Sequence, residues 1–277
     1  MKYNKILKYI TRHAILLTGA FFVLAPFVWM VSTSLKPQDE IFSATIQLLP
    51  THWHAWENYK DAFTKEPLLR FMLNGVFITS SIFILQMLFA IPASYALAKL
   101  KFKGKKLFFW MVLFSLLIPT HVTAIPVYLE LFRLGTLDTY AALILPWSIS
   151  VFSIFLIRQF FKTIPDDLIH AARIDGMGEF TIIWKVMMPS AIPAITACGI
   201  ASVIAHWNDY FWPLIAINST DLYTPPLGVT FFRDEMAGTD YGPLMAAATV
   251  IILPLVIVFL LAQDKFIKGI STQAGIK

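Results

Sequence analysis

The sequence predicts an all-α integral membrane protein with six transmembrane helices, and three observations support this class. Of the 277 residues, 57% are hydrophobic, and the mean hydropathy is +0.68. Charged residues make up only 14% of the chain, whereas soluble domains usually contain about 25%. The apolar residues form long runs of about 18 residues or more, which is enough for a helix to cross a hydrocarbon core of about 30 Å.

Six such runs define the predicted helices, which we number one to six in chain order. They cover residues 14–31, 71–98, 107–132, 140–157, 192–217 and 243–262. The first run follows basic residues, as the apolar region of a signal peptide does, but it exceeds the usual length of about 7–15 residues and no A-x-A cleavage site follows it. We therefore expect a retained helix, and we expect residues 1–277 to form a single transmembrane domain.

The distribution of lysine and arginine predicts the orientation of the helices, because loops on the cytoplasmic side are enriched in both residues. If the N-terminus lies in the cytoplasm, 16 of the 22 basic residues fall on the cytoplasmic side. They precede helix one, separate helices two and three, separate helices four and five, and follow helix six. The sequence therefore predicts cytoplasmic N- and C-termini, and it places residues 163–189 in the cytoplasm.

The sequence argues against catalysis or metal binding in this chain. The single cysteine, Cys198, lies in an apolar run and excludes both a disulfide framework and a cysteine-based zinc site. His52 and His54 are close together, but no H-E-x-x-H motif is present. The Gly104-Lys105 pair lacks the upstream glycine of a phosphate-binding loop. We expect no catalytic residue, no metal and no cofactor, and the one-sided placement of the basic residues does not indicate nucleic-acid binding.

A charged stretch between helices four and five, PDDLIHAARIDGMGEFTIIWKVMMP at residues 165–189, predicts a helical hairpin. Thr163 is placed to cap a helix that begins at Pro165, a residue favoured at the first helical position. Asp166 lies in the first turn, where the helix dipole favours negative charge. Gly176 is predicted to end this helix in the left-handed conformation, and a second short helix follows until Pro189.

The hairpin pattern is amphipathic, and the residues alone leave two interpretations open. The hairpin either packs on the ends of the chain's own helices or lies at the lipid interface. Alternatively, it inserts into a groove on a partner protein. Both interpretations provide a place for the apolar side of a helix that faces water.

The hairpin resembles the EAA loop of ATP-binding cassette (ABC) importer permeases, whose pattern is E-A-A-x-x-D-G-A followed by an apolar or aromatic stretch that ends in L-P. The matching sequence is L-I-H-A-A-R-I-D-G, followed by Phe180 and by Met188-Pro189. The matching residues of the central pattern are Ala171, Ala172, Asp175 and Gly176. Two positions depart from the pattern, since His170 stands at the usual glutamate and Met177 at the usual alanine.

Other stretches resemble the carbohydrate-uptake family of these permeases, in its maltose-permease-like half. H-W-N-D-Y-F-W-P-L in helix five is similar to W-N-[DE]-[FY]-L-W-P-L of sugar-type permeases. L-D-T-Y-A-A-L-I-L-P, P-L-G-V-T-F and the final K-G-I-S-T-Q-A-G-I-K are also similar to that family, although the last departs from the common T-x-G-A-V-K-G. The resemblance covers nearly the whole chain.

The resemblance implies a permease subunit of a sugar importer in the bacterial cytoplasmic (inner) membrane. Its implied partners are a second homologous permease subunit, a cytoplasmic ATPase dimer that binds ATP and magnesium, and an extracellular or periplasmic solute-binding protein. The hairpin is implied to dock into a cleft of the ATPase through Leu168, His170, Ala171, Ala172, Asp175, Gly176, Met177 and Phe180. At the position of the usual carboxylate, His170 either hydrogen-bonds or repels a cation, depending on its protonation.

Polar residues at membrane depth are candidates for a substrate path, because burying them costs free energy unless they face protein or water. A sugar path needs hydrogen-bonding groups together with aromatic rings that stack on the sugar. The candidates are Trp207, Asn208, Asp209, Tyr210, His121 and Ser150. An alternative stays open for the first three, namely that they attach helix five to a neighbouring helix.

Three alternatives concern the function as a whole. In the first, a permease of the same architecture imports glycerol 3-phosphate or a glycerophosphodiester instead of a sugar, because permeases for these cargoes resemble those for sugars. Arginine or lysine along the path would favour a phosphate, and helices two to five have neither near the midplane. A stand-alone secondary transporter or channel would need a complete path in one chain, and a membrane enzyme would need a convergent catalytic set, which the sequence does not suggest.

Overall fold

The computed structural model describes residues 2–43, 47–234 and 238–273. These residues are almost entirely helical, with one short antiparallel pair of strands, β1 (Arg233–Asp234) and β2 (Gly238–Thr239). The predicted all-α class is therefore confirmed.

Fifteen α-helices follow one another along the described residues. They are α1 (Lys2–Ser34), α2 (Gln38–Ile41), α3 (Ala55–Thr64), α4 (Leu68–Lys99), α5 (Lys105–Ser115), α6 (Ala124–Arg133), α7 (Tyr140–Ile144), α8 (Val151–Thr163), α9 (Asp166–Ile174), α10 (Glu179–Ile182), α11 (Met188–Ser190), α12 (Ile192–Trp207), α13 (Phe211–Ala216), α14 (Pro225–Gly228) and α15 (Tyr241–Gln273). Short 3-10 turns cover Thr120–Thr123, Leu145–Trp147, Thr220–Leu222 and Val229–Phe232, and a π-helical turn covers Ile183–Met187.

Four segments of the described residues are long and apolar enough to cross a membrane and are not sharply bent. They are Leu7–Ser34, Leu68–Lys99, Tyr140–Thr163 and Tyr241–Leu261. Two further pairs meet the same criterion but are sharply bent, Lys105–Ser115 with Thr120–Arg133 by 97° and Glu179–Ser190 with Ile192–Trp207 by 79°. The predicted number of six is reached when each bent pair is one span.

Proline explains why predicted helices three and five are interrupted. Proline disfavours the helical conformation for the residue that precedes it, so α5 ends before Pro119. Pro119 itself has an extended backbone, with ψ 132°. In predicted helix five, α12 ends at Trp207 and α13 begins at Phe211. Pro213 lacks the N–H that a helix interior needs and is tolerated near a helix start, and Asp209 Oδ1 accepts a hydrogen bond from the Trp212 N–H at 3.2 Å. The predictions of one continuous helix over 107–132 and over 192–217 are therefore wrong. Predicted helix four, over 140–157, is also divided, into α7, a 3-10 turn and α8.

The chain's internal contacts define two compact units, Met1–Leu69 with Val229–Leu253, and Arg70–Gly228 with Pro254–Lys277. In the first unit, Asn58 is buried and its Nδ2 donates to the carbonyls of Ser34 at 3.0 Å and Lys36 at 2.8 Å. Gly242 lies so close that a Cβ there would be 2.4 Å from Asn58 Oδ1. These contacts tie α1, α3 and the start of α15 together.

The second unit contains two apolar clusters. One joins α4, α8 and the hairpin through buried residues that include Tyr95, Ile157, Phe161 and Met187. The other joins α4, α6, α7 and α13, and its Trp212 indole donates to the Ala142 carbonyl at 2.9 Å. The hairpin and the polar residues of predicted helix five therefore belong to the same unit.

Candidate functional site

The charged stretch forms a hairpin that buries one face against the chain's own helices. Ile169 and Ala172 of α9 are 2% and 5% exposed and share a cluster with Phe161, Ile182 and Met187. Residues three apart on a helix lie on the same face, so this pair directs α9 toward α8 and the second half of the hairpin.

The opposite side of the hairpin carries large exposed apolar side chains. Ile174 is 86% exposed, Phe180 72% and Leu168 42%. Contiguous exposed apolar groups rimmed by polar residues are typical of an interaction surface. We define the hairpin face as the exposed residues Leu168, His170, Ala171, Ile174, Asp175, Gly176 and Phe180.

Two of the predicted coupling residues do not belong to the hairpin face. Ala172 is buried in the apolar cluster, and Met177 is half-buried against the same cluster. The small side chain of Ala172 therefore permits close packing within this chain, and the hairpin face lacks both residues.

The turn of the hairpin has the geometry that the sequence predicts. Gly176 has φ +79°, a left-handed conformation that costs an L-residue about 1–2 kcal/mol. The Gly176 N–H donates to the Arg173 carbonyl and the Met177 N–H to the Ala172 carbonyl, both at 3.0 Å. This pair of bonds is a Schellman motif, which fixes the direction in which the chain leaves α9.

Two details of the predicted hairpin are wrong. Thr163 does not cap α9, because its hydroxyl donates to the Phe160 carbonyl at 2.7 Å and the residue ends α8. Pro165 precedes α9 instead, without a side-chain cap. Pro189 does not end the second helix, since it lies in the first turn of α11, where its missing N–H costs nothing.

A hydrogen-bond network ties both halves of the hairpin to α4. The Tyr95 hydroxyl, on a fully buried residue, donates to Glu179 Oε2 at 2.5 Å. Arg173 Nε donates to Glu179 Oε1 at 2.7 Å. The contact between Tyr95 and Glu179 was not predicted from the sequence, because the two residues lie 84 positions apart and Tyr95 occupies a position in a long apolar helix.

A second attachment lies at the start of α9. Lys99 at the end of α4 donates from Nζ to Asp166 Oδ1 at 2.6 Å and to the Ile164 carbonyl at 2.5 Å, and its side chain is only 6% exposed. The hydrogen bond from Lys99 lowers the pKa of the Asp166 carboxyl below its usual value. The carboxylate also lies at the positive end of the α9 dipole, so the connection between α8 and α9 is held from two sides.

His170 lies beside a basic groove on the hairpin. The groove has a volume of about 320 Å³ and is lined by Lys99, Lys101, Asp166, His170 and Arg173, together with Leu100 and Ile169. Three permanent cations face one carboxylate there, so the groove is electropositive next to the position where the EAA pattern has glutamate.

A second recess, which we call the cleft, lies between α4, α5, α8 and the break of predicted helix five. Its volume is about 480 Å³, and it brings together Gln86, Trp147 and His206 with three predicted path residues, His121, Ser150 and Asp209. Among the described residues that line it, none is a lysine or an arginine. The cleft therefore offers neutral hydrogen-bonding groups and aromatic rings.

Gln86 is the centre of the polar groups in the cleft. It is 4% exposed, and its Nε2 donates to the Trp147 carbonyl at 2.9 Å and lies 3.2 Å from His206 Nε2. Since an amide nitrogen can only donate, His206 accepts at Nε2 and carries its proton on Nδ1. Gln86 is a polar residue within the apolar run of predicted helix two, and the sequence did not predict these contacts.

Two polar atoms in the cleft have no partner among the described residues. They are Gln86 Oε1 and Trp147 Nε1, both shielded from solvent. A buried polar atom without a hydrogen bond costs about 1–3 kcal/mol, so each such atom in a native protein calls for an explanation.

The other predicted path residues lie outside the lining of the cleft. Trp207 is 3% exposed and packs close to Gly75, where a Cβ would be 3.2 Å from the indole. Asn208 Nδ2 donates back to the Ile204 carbonyl at 2.8 Å, and Tyr210 is 40% exposed. Within residues 2–43, 47–234 and 238–273, no three His, Cys, Asp or Glu side chains are grouped closely enough to hold a metal ion.

Comparison with known proteins identifies the family. Residues 90–272 match the family described as binding-protein-dependent transport system inner membrane component. The chain is 33% identical to the arabinooligosaccharides transport system permease protein AraQ of Halalkalibacterium halodurans, over 93% of this chain and 92% of that protein. It is 32% identical to the sn-glycerol-3-phosphate transport system permease protein UgpE of Brucella abortus, over 93% of this chain and 94% of that one.

The chain therefore belongs to this family of inner membrane transport components, a class of transport subunits rather than enzymes. The resemblance to ABC importer permeases is confirmed. The fold is also similar to a solved structure described as a bacterial ABC transporter involved in the import of the acidic polysaccharide alginate, with a TM-score of 0.84 and 23% identity over 95% of this chain and 98% of that chain. That likeness concerns the fold alone.

Proposed function

We propose that this chain is one of two homologous permease subunits of an ABC importer for a sugar or oligosaccharide in the bacterial cytoplasmic membrane. The observation that carries the proposal is the hairpin, which exposes Ile174 and Phe180 while it is bonded to α4 at Tyr95 and Lys99. A surface that only covered the chain's own helices would not leave these apolar groups exposed.

In this proposal the N- and C-termini and the hairpin are cytoplasmic. The basic residues at the hairpin support this orientation, because Lys99, Lys101 and Arg173 line its groove and cytoplasmic segments are enriched in such residues. A cytoplasmic ATPase dimer that holds ATP and magnesium receives the hairpin face in a groove of its own. A solute-binding protein delivers the cargo on the other side of the membrane.

The hairpin converts closure of the ATPase dimer into movement of α4 and α8. Because α9 is attached to Lys99 and α10 to Tyr95, both on α4, and the hairpin packs against Phe161 of α8, a displacement of the hairpin face moves both helices. The cleft lies between the same helices, so their rearrangement changes access to it. Such rigid-body switching needs only that the two states bind nucleotide with different affinity.

The lining of the cleft favours a neutral cargo. Phosphate sites usually present arginine or lysine, and the described lining residues include neither. Glycerol 3-phosphate is the second candidate, supported by the 32% identity to the Brucella abortus permease. The cleft supports the sugar more strongly.

Purification in mild detergent followed by mass spectrometry tests the assembly, and reconstitution tests the coupling. We expect an ATPase, a second permease and a binding protein to be recovered with the chain.

Asp175→Lys places a cation in the exposed turn, and we expect it to abolish ATP-driven uptake while ATP hydrolysis continues. Asp39→Lys, on the exposed surface of α2, is the control. Uptake that survives Asp175→Lys, or intact transport by the chain without an ATPase, would refute the proposal.

A further inference from the structure

Two residues that line the cleft each carry a polar atom without a partner among the described residues, and the two atoms have opposite hydrogen-bonding capacity. Gln86 Oε1 can only accept, and Trp147 Nε1 can only donate. The remaining hydrogen-bonding capacity of Gln86 is already used, since its two amide hydrogens point at the Trp147 carbonyl and at His206. These two hydrogen bonds fix the orientation of the amide and leave its oxygen without a hydrogen-bond donor among the described residues.

A hydroxyl group is the ligand that can satisfy either atom. It donates one hydrogen and accepts at its oxygen, so a hydroxyl can bond to either Gln86 Oε1 or Trp147 Nε1. A phosphate or carboxylate, which only accepts when ionised, would satisfy the indole and repel the amide oxygen. The pair therefore favours a group that carries a hydroxyl over one that offers only anionic oxygens.

Aromatic rings and charge in the cleft point to the same ligand class. Trp147 and Trp212 meet edge to face with ring centroids 6.1 Å apart, and His121 lies 4.8 Å from Phe211. Such rings offer faces to the C–H groups of a sugar. The described lining residues include no lysine or arginine that would bind an anion.

We propose that Gln86 and Trp147 form a hydroxyl-recognition site, so that this subunit itself contacts a neutral saccharide during transport. This inference rests on the proposed importer function and specifies the substrate class of its cleft. It adds Gln86 and Trp147 to the path residues that were predicted from their polarity at membrane depth.

Equilibrium binding to the purified permease–ATPase complex in nanodiscs tests the site without the solute-binding protein. The probes are radiolabelled arabinotriose, a set of its mono-deoxy derivatives and sn-glycerol 3-phosphate. Trp147→Phe removes the indole N–H and keeps a ring, and Gln86→Met removes the amide. Trp110→Phe, at a residue 55% exposed on α5, is the matched control.

We expect arabinotriose to bind the wild-type complex and each cleft variant about fivefold more weakly, the equivalent of one neutral hydrogen bond. At least one deoxy derivative should lose the same factor with the wild type but nothing with Trp147→Phe, a coupling that a loss of folding does not produce. The control should bind like the wild type.

The outcomes separate the two proposals. Equal binding by wild type and both cleft variants, or absent binding, overturns the hydroxyl site, and tighter binding of glycerol 3-phosphate than of the sugar overturns its assignment to a neutral saccharide. If the same nanodiscs with the binding protein still show ATP-driven uptake, the importer function stands. If they show none for either cargo, the proposed function fails as well.

Discussion

The hairpin and the cleft lie in one compact unit but differ in whether their polar groups have hydrogen-bond partners. At the hairpin, both carboxylate oxygens of Glu179 are bonded, and Lys99 holds both a carboxylate and a carbonyl. In the cleft, Gln86 and Trp147 each keep one buried polar atom without a partner among the described residues. Satisfied networks make a region rigid, whereas unsatisfied atoms favour any state or ligand that pairs them.

This contrast suits the two parts of a coupled transporter. A region that transmits force must keep its shape, and a region that binds cargo must retain unused hydrogen-bonding capacity. The following changes either remove the rigidity of the hairpin or test whether the difference in pairing has the expected energetic consequence.

Among these changes, the largest effect on transport is expected for Gly176→Val in the hairpin turn. The left-handed φ of +79° is strongly disfavoured for a β-branched residue, so the substitution should rotate the hairpin face away from the ATPase. We expect ATP-driven uptake to fall at least about tenfold, corresponding to about 1.4 kcal/mol or more, while the protein remains in the membrane. Uptake and ATP hydrolysis in proteoliposomes measure the change.

Gly178→Val is the matched control for that change. A Cβ at either glycine meets no atom within 4 Å, but Gly178 has φ −73° and ψ 159°, which a valine adopts readily. Normal coupling in Gly178→Val together with lost coupling in Gly176→Val attributes the effect to backbone conformation. Equal results for both would contradict the role of the turn.

A smaller but clear effect is expected for Glu179→Ala. The change leaves the buried Tyr95 hydroxyl without its acceptor and frees Arg173. The unpaired hydroxyl should lower the free energy of unfolding by about 1–3 kcal/mol, and coupling should weaken because α10 is no longer attached to α4. Thermal unfolding in nanodiscs measures the stability, and ATP-driven uptake measures the coupling.

Glu179→Gln, which keeps an acceptor for Tyr95, should recover most of the stability. An equally unstable Gln variant would argue against the hydrogen bond.

The sequence predicted the hairpin because its features are local. The left-handed turn at Gly176, the acidic first turn and the apolar positions of α9 are all determined by neighbours within a few residues. The attachments of the hairpin could not be predicted in this way, because Tyr95 and Lys99 come from a helix more than 60 residues away. The long apolar runs gave the spans, but they did not reveal that Pro119 and Pro213 divide two of them.

The substrate path was predicted less completely, and the reason is also physical. His121, Ser150 and Asp209 do line the cleft, whereas Trp207 is buried beside Gly75. A tryptophan at membrane depth has the same sequence signal whether it packs on a glycine or faces a cavity. Trp147, which does line the cleft, lies next to Pro146 in a short turn, where no helical periodicity indicates its direction.

Two hydroxyl deletions on α4 test the pairing rule directly. Tyr95→Phe removes a hydroxyl that is bonded to Glu179, and Thr79→Val removes a buried hydroxyl without a partner among the described residues. We expect Tyr95→Phe to destabilise by about 1 kcal/mol and Thr79→Val to be neutral or stabilising by up to about 1 kcal/mol, since only the first loses a hydrogen bond. Thermal unfolding of both variants measures the difference, and a larger loss for Thr79→Val would reverse the interpretation.

The smallest effect on stability is expected at Asp138, a paired carboxylate that belongs to neither the hairpin nor the cleft. Asp138, at φ +57°, accepts hydrogen bonds from the Ser219 hydroxyl at 2.5 Å and from the N–H groups of Ser219 and Asn218. The Ser219 hydroxyl and both N–H groups lower the pKa of the Asp138 carboxyl below its usual value. A pKa that is lower in the folded state stabilises the fold above the unfolded pKa, and this stabilisation is lost as the pH falls through the folded pKa.

Acid should therefore destabilise the protein partly through Asp138. Thermal unfolding between pH 7 and about pH 3 should show a fall in Tm that is shallower in Asp138→Asn, because asparagine does not titrate yet tolerates the left-handed backbone. At pH 7 the same variant should be slightly less stable, since a neutral amide oxygen is a weaker acceptor than a carboxylate. Parallel pH profiles for the variant and the wild type would show that pairing at Asp138 contributes nothing to acid sensitivity, and that a paired carboxylate stabilises this protein only where, as at Glu179, it also satisfies a buried donor.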